Sequence, residues 1–350
     1  MEEFLSTLQI GAKPKGNLER ARELIAEAAA LLEEVDRDFV PLVLRRRDRP
    51  LSDCRAVWAA LPAGRLPAKE PPVKSLIDKS PTLSTMYRGG LNFIDFCRFA
   101  KEDLDRASVI AELFDSRHPY WDEFRTAVTQ NRPWIKFSPT FEVAPAVQIA
   151  TLLRAGGILE TFRCEVFVKR DSTWAAIDDK KARALLEKFR VRLMFALAPV
   201  PQLTTLVSGD WLTAVSLKIV ADHLERNDFD FEVYSKVGYE TAEGLRKVRG
   251  DFDLLVRSHQ KVLAVECKSG RLDASRGDFE EMAAKAERLS QVFALNQAGI
   301  ELTYWLVFNH HLNDRDEIQS RLKGTRLEGL TLEELRGKVI TQFGATRTAG

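Results

Sequence analysis

The chain has 350 residues, 45% hydrophobic and 29% charged, with a formal net charge of +1. That length leaves room for about two domains, and the mixture is that of an ordinary soluble globular protein. The charge excludes a polycation, so any nucleic-acid contact has to come from a local patch such as Arg45, Arg46 and Arg47.

Four cysteines (Cys54, Cys97, Cys164, Cys267) stand far apart without paired spacing, which argues against a zinc cluster or a disulfide framework and fits a reducing compartment. The opening "MEEFLSTLQI" lacks the basic and apolar regions of a signal peptide. No apolar run approaches the ~18–20 residues needed to span a bilayer. A cytoplasmic protein with no membrane partner is expected.

In chain order, "GNLERARELIAEAAALLEEV" carries Leu18, Ala21, Leu24, Ile25, Ala28, Leu31, Leu32 and Val35 at helical spacing, with Asn17 as N-cap. The proline-rich "LPAGRLPAKEPPVK" (61–74) reads as a loop or linker. Helical patterns follow near 93–114, 121–130 and 143–155, and "ETFRCEVFVKRDSTWAAI" (160–177) alternates like a hairpin turning at "RDS". A main boundary is expected at "APVPQ" (198–202). Residues 1–204 then form a mainly helical region that selects a target, docks or dimerises, and helix 143–155 with its hairpin is one candidate for a winged-helix-like DNA reader.

Residues 205–350 have a different grammar. "DWLTAVSLKIVADHLERN" is an amphipathic helix and "FEVYSKVGYE" an alternating strand. Residues 251–257 and 261–268 are two strands around "SHQ". "GDFEEMAAKAERLSQVFALNQAG" is a helix with Phe279, Met282, Ala283, Ala286, Leu289 and Phe293 on one face and Gly299 near its C-cap. "ELTYWLVFN" is apolar on both faces, as a central strand should be, and "TLEE" opens the last helix as a capping box. This order predicts an α/β domain on a mixed sheet.

"GDFDLLVRSHQKVLAVECKSG" (250–270) sets Asp253, Glu266 and Lys268 inside two otherwise apolar strands. Charges there are costly unless paired or bound to a metal. Alternation puts Glu266 and Lys268 on one face and Cys267 on the other. A two-residue turn at His259 and Gln260 pairs 258 with 261 and so sets 253 opposite 266; a four-residue loop keeps the same face, and a three-residue loop without a bulge reverses it. Asp251 joins the face of Asp253. Two carboxylates on adjacent strands suit Mg²⁺ or Mn²⁺, with the Cys267 carbonyl as a further ligand and Lys268 able to orient a water and stabilise developing charge.

Asp253 followed by "Glu266-Cys267-Lys268", after a strand and before a helix, resembles the PD-(D/E)XK nuclease superfamily over residues 205–345. The hairpin is similar to that of restriction-endonuclease-like domains, including the nuclease half of CRISPR-associated accessory nucleases. The resemblance implies a metal-dependent endonuclease with Asp253 and Glu266 as metal ligands and Lys268 as catalytic lysine. It also implies DNA rather than RNA as substrate, a role in defence or repair, and a homodimer where two strands are cut. Many relatives carry a glutamate after a Trp-Leu pair in the preceding helix; here Thr213 takes that place, with Asp210, Asp222 and Glu225 as nearby substitutes. Phe252 stands where the family's proline would be. Cyclic-nucleotide sensing is not carried over, because the N-terminal half shows no opening strand and glycine turn.

Each residue also has a simpler reading. Asp253, Glu266 and Lys268 could form a surface salt bridge, Asp251 a loop-end acid, Gln291 a solvated helix position and Arg45–Arg49 a solvated face. His310 and His311 are adjacent and are expected to point apart, and Cys267 reads as a small core residue. The rival function is a non-catalytic nucleic-acid-binding or assembly protein on a degenerate nuclease fold, favoured by the missing helix glutamate and opposed by the intact Glu266–Lys268 pair.

Overall fold

The computed structural model describes residues 51–115, 121–130, 134–136, 141–168, 171–175, 189–198, 200, 203–243, 246–273, 277–296 and 300–344, and elements are numbered within these. The expected helix after Asn17, the arginine run Arg45–Arg49 and the C-cap at Gly299 lie outside the described residues.

A seven-stranded sheet positions the site. Its strands are β1 (Gly64–Pro67), β2 (Asn92–Arg98), β8 (Phe231–Glu243), β9 (Arg246–Ser258), β10 (Lys261–Lys268), β11 (Glu301–Phe308) and β12 (Leu327–Leu330), in that spatial order. All neighbours are antiparallel except β10–β11 and β11–β12, which are parallel. The sheet is thus mixed, and β11 is paired on both sides, next to the edge strand β12, with an apolar, buried end.

β1 and β2 come from the region expected to be helical or linker. "GRLP" is an edge strand, where Pro67 is tolerated because the missing N–H is not needed by a second neighbour. The segment 93–114 divides into β2 and a helix, α4 (Lys101–Asp115). The 204/205 boundary therefore crosses one sheet, and all described residues fall within one unit, Leu51–Gly350.

Helices α1 (Leu51–Ala60), α2 (Pro71–Lys79) and α3 (Pro81–Arg88) precede β2. Trp58 of α1 packs edge-on against Tyr234 of β8 at 5.4 Å and Phe96 of β2 at 6.2 Å, joining the N-terminal segment to the sheet core. A second, antiparallel sheet contains β3 (Trp134–Lys136), β4 (Phe141–Glu142), β5 (Leu159–Val168), β6 (Asp171–Ala175) and β7 (Phe189–Leu197), with α5 (Trp121–Thr129) and α6 (Val143–Ala155) before β5. The expected hairpin at 160–177 is β5–β6, with Val168 paired to Asp171. The described part of the N-terminal half is accordingly α plus β.

The remaining helices are α7 (Trp211–Arg226), α8 (Asp278–Asn296), α9 (Arg315–Leu322) and α10 (Leu332–Phe343). A helical turn at Leu203–Thr205 and a wide turn at Leu206–Asp210 run into α7. The continuous run Leu203–Arg226 is long and apolar enough to cross a membrane by composition, contrary to the expectation of no such run. It is mostly buried, with Leu212, Ala214, Val215, Val220 and Leu224 turned inward, which is the behaviour of a core helix. α10 starts at the expected capping box, Thr331 and Glu334 bonding reciprocally.

Candidate active site

The β9–β10 hairpin turns through His259 and Gln260, with His259 at φ 52° as a two-residue hairpin turn requires. Ser258 pairs with Lys261, and the register runs to Leu254 opposite Val265. The ladder stops before Asp253 and Glu266, and the Cys267 N–H donates instead to Asp253 Oδ2 at 2.8 Å. The Asp253 side chain thus closes the fork between the strands.

Alternation on β10 sends successive side chains to different helices. Cys267 faces α7, where Ser216 approaches its thiol; it is partly buried against the core, and burial pushes the thiol well above its ordinary value. Glu266 faces α8 and meets Lys285.

Asp253 is buried. Its Oδ1 receives Lys236 Nζ at 2.6 Å and the Thr213 hydroxyl at 3.3 Å. Lys236 Nζ also lies 3.2 Å from Asp210. The register of β2 and β8 shifts at this point, and Lys236 adopts φ 48°, a left-handed conformation that costs a lysine about 1 kcal/mol. The bulge re-aims the lysine between two acids. Burial opposes its charge, but Asp253 and Asp210 more than offset this and hold it above its ordinary value.

Glu266 is 1% exposed. Its Oε1 lies 2.7 Å from Lys285 Nζ and 3.7 Å from Lys268 Nζ. Lys285, itself buried, also reaches Glu281 at 3.3 Å and Asp251 at 3.4 Å. The other oxygen, Oε2, is buried with no hydrogen-bond partner, and so is the hydroxyl of Tyr304. Tyr304 lies beside Ala264 in the parallel β10–β11 pair, so it shares the face of Glu266. Burial, then the charge of Asp253, raises the Glu266 carboxyl to about 7 while Lys285 and Lys268 pull it down. The Tyr304 hydroxyl is likewise held well above its usual value by burial and by Glu266.

The structure therefore gathers Asp253, Glu266, Lys268 and Asp251 around the hairpin. Gln291 stands apart, bonded to Glu287 on the exposed side of α8. Thr213 touches Asp253, so the position of the missing helix glutamate does face the cluster. Asp210, one turn earlier, reaches the same cluster through Lys236, whereas Asp222 pairs with Arg226 and Glu225 with Arg55. His310 and His311 lie with ring centroids 3.8 Å apart, tilted by 42°, in the turn after β11, because a turn does not splay neighbours as a strand does. Among the described residues no three His, Cys, Asp or Glu side chains converge to cage a metal.

Two lysines of the site, the buried Lys285 and the partly buried Lys236, escaped sequence reading. The signal for Lys285 was present, since it stands between Met282 and Leu289 in the apolar stripe of α8. Lys236 gave none, because nothing in "YSKVG" marks a left-handed lysine.

A cleft of about 650 Å³ opens past the C-terminal ends of the parallel strands β10 and β11, lined by Arg271, His310, Asn313 and Arg321 among others. Asn309 and Asn313 shape its wall by bonding the Ser269 and Gly270 carbonyls. Ligands of α/β sheets sit characteristically beyond strand C-termini.

No family model and no curated protein matches the chain. Solved structures do. Protein VC1899 from Vibrio cholerae aligns at 14% identity and a TM-score of 0.43, covering 74% of this chain and 59% of that one. Can2 from Sulfobacillus thermosulfidooxidans, solved in complex with cyclic tetra-adenylate, aligns at 11% identity and a TM-score of 0.44, covering 77% and 62%. The chain thus spans less than two thirds of either, and at TM-scores below 0.5 neither likeness establishes a shared fold.

Proposed function

We propose that the β9–β10 hairpin carries a divalent-metal-dependent nuclease centre in a restriction-endonuclease-like domain. The observation that carries this reading is Glu266: a carboxylate sealed in the sheet, facing two lysines on one oxygen, with the other oxygen left unbonded. A buried polar atom without a partner is costly, and an oxygen ligand to a hard cation removes that cost.

The donor set fits Mg²⁺ or Mn²⁺. Asp253 and Glu266 would hold the ion with the Cys267 carbonyl, while Asp210 stands behind Lys236 in place of the missing glutamate. When bound, the ion supplies Lewis-acid polarisation of a phosphodiester and a water of lowered pKa. The chain's own groups do the rest. Lys268 Nζ, more exposed than Lys285, orients the attacking water and stabilises charge as it grows on the phosphate. Lys236 holds Asp253 in place against Thr213, and the cleft beyond β10 and β11 offers the strand a path. DNA as the preferred substrate, a defence or repair role and a homodimer belong to this proposal on the family resemblance alone.

A second reading has its own observation: Lys236 and Lys285 already neutralise Asp253 and Glu266, as in a structural ion network on a degenerate nuclease fold. Supercoiled plasmid and single-stranded RNA incubated with the purified chain decide between them. The nuclease reading expects cleavage with Mg²⁺ or Mn²⁺ and none in EDTA. Equal cleavage in EDTA, or binding without cleavage under every metal, overturns it.

A further inference from the structure

Around the hairpin Asp210, Asp251, Asp253, Glu266 and Glu281 are engaged by Lys236, Lys268 and Lys285. The three lysines are not equivalent. Lys268 is half exposed and 3.7 Å from Glu266. Lys236 is locked between Asp253 and Asp210 by the β8 bulge. Lys285 sits closest to Glu266, at 2.7 Å, and has two further acids within reach.

Those two acids are the exposed members of the set: the Asp251 side chain is 50% and that of Glu281 69% exposed, against 2% for Glu266. An ammonium leaving Glu266 has a seat at the solvent edge without a large movement of α8. A cation of charge two and an ammonium sharing one buried carboxylate repel strongly at such separations, so both cannot hold Glu266 tightly.

We infer that Lys285 is a built-in counter-cation: it holds Glu266 in the metal-free chain and gives way to the divalent ion, Asp251 and Glu281 receiving the displaced ammonium. The inference rests on the reading of the site as a metal-dependent nuclease centre. It makes Lys285 a positioning residue that sets metal affinity, and it separates the two lysines of the site: Lys285 for loading, Lys268 for chemistry. Glu266 is kept paired, and so correctly placed, before the ion arrives.

The test uses the full chain freed of metal. Mn²⁺ binding is titrated by the loss of the free-ion paramagnetic signal, and lysine accessibility is followed by amine-reactive labelling and mass spectrometry. Lys285→Met is expected to bind Mn²⁺ about tenfold more tightly, and Glu281→Gln, an exposed change, two- to threefold more weakly. In the parent, Lys285 is expected to resist labelling without metal and to become labelled with Mn²⁺, while Lys338 is labelled equally in both. Mn²⁺ binding that leaves Lys285 protected, or no tightening in Lys285→Met, overturns the inference and leaves the nuclease reading standing. A parent that binds no Mn²⁺ removes the reading and the inference together. If Lys285→Met does not fold, the labelling of the parent decides.

Discussion

The sheet buries two glutamates in opposite ways. Glu232 on β8 is fully enclosed and satisfied by neutral donors: the Ser80 and Tyr234 hydroxyls at 2.6 Å each, the Thr82 N–H at 3.2 Å and the Thr82 hydroxyl. Ser80 is the N-cap of α3, so the carboxylate also meets the positive end of that helix. Glu266 on β10 is as deeply buried, yet it faces cations on one oxygen and nothing on the other. The first arrangement is complete and pins α3 to β8. The second is incomplete within the chain. A carboxylate whose bonds are all made serves the fold, whereas one held by lysines with an oxygen to spare is placed for a ligand.

The most severe way to break the structural side of this comparison is to remove Glu232's donors. A fragment starting at residue 205 lacks Ser80, Thr82 and strands β1 and β2, and is expected to show no cooperative thermal transition. A folded, cooperative fragment would show that the N-terminal strands are dispensable. Next in size, Glu232→Ala strands the Ser80, Thr82 and Tyr234 hydroxyls and is expected to cost about 3 kcal/mol or more in urea unfolding. The loss should be the same with and without Mn²⁺.

On the functional side, Lys268→Ala is expected to slow single-turnover cleavage about a hundredfold, roughly 2.7 kcal/mol of barrier. Nucleic-acid and Mn²⁺ affinities should stay near those of the parent. Its ammonium is half exposed, so stability should hardly change. Cleavage at the parental rate would return Lys268 to a surface ion pair. The smallest effect expected is at Gly250, where an added Cβ would sit 2.6 Å from the Tyr239 hydroxyl. Gly250→Ala should cost about 1–2 kcal/mol through displacement of that ring, and an unchanged melting temperature would show that Tyr239 moves freely.

How much of this was legible follows from where each signal lives. The hairpin register was readable, because a two-residue turn at His259 and Gln260 fixes Ser258 opposite Lys261 and each pair up to Leu254 and Val265. The length of α8 and the capping box of α10 were local and equally readable. The edge strand β1 was hidden by its prolines, and β2 by the helical pattern that follows it, because both owe their form to pairing with β8 rather than to propensity. Strand β12 went unread for a like reason: Leu327–Leu330 is short and pairs only through β11. Lys285 was visible as a charge inside an apolar stripe. Lys236 depends on a bulge, and Asp210 enters the site only through that lysine, so neither role could be found before the sheet was assembled.

The central claim is that Glu266 serves chemistry while Glu232 serves the fold. The most direct measurement sets Glu266→Gln and Glu232→Gln side by side, each assayed for metal-dependent plasmid cleavage at low temperature and for thermal unfolding in metal-free buffer. The account predicts that Glu266→Gln loses cleavage at every Mg²⁺ or Mn²⁺ concentration yet melts close to the parent, whereas Glu232→Gln melts markedly lower yet still cleaves while folded. Cleavage by Glu266→Gln at the parental rate, or a folded Glu232→Gln that cannot cleave, would contradict it.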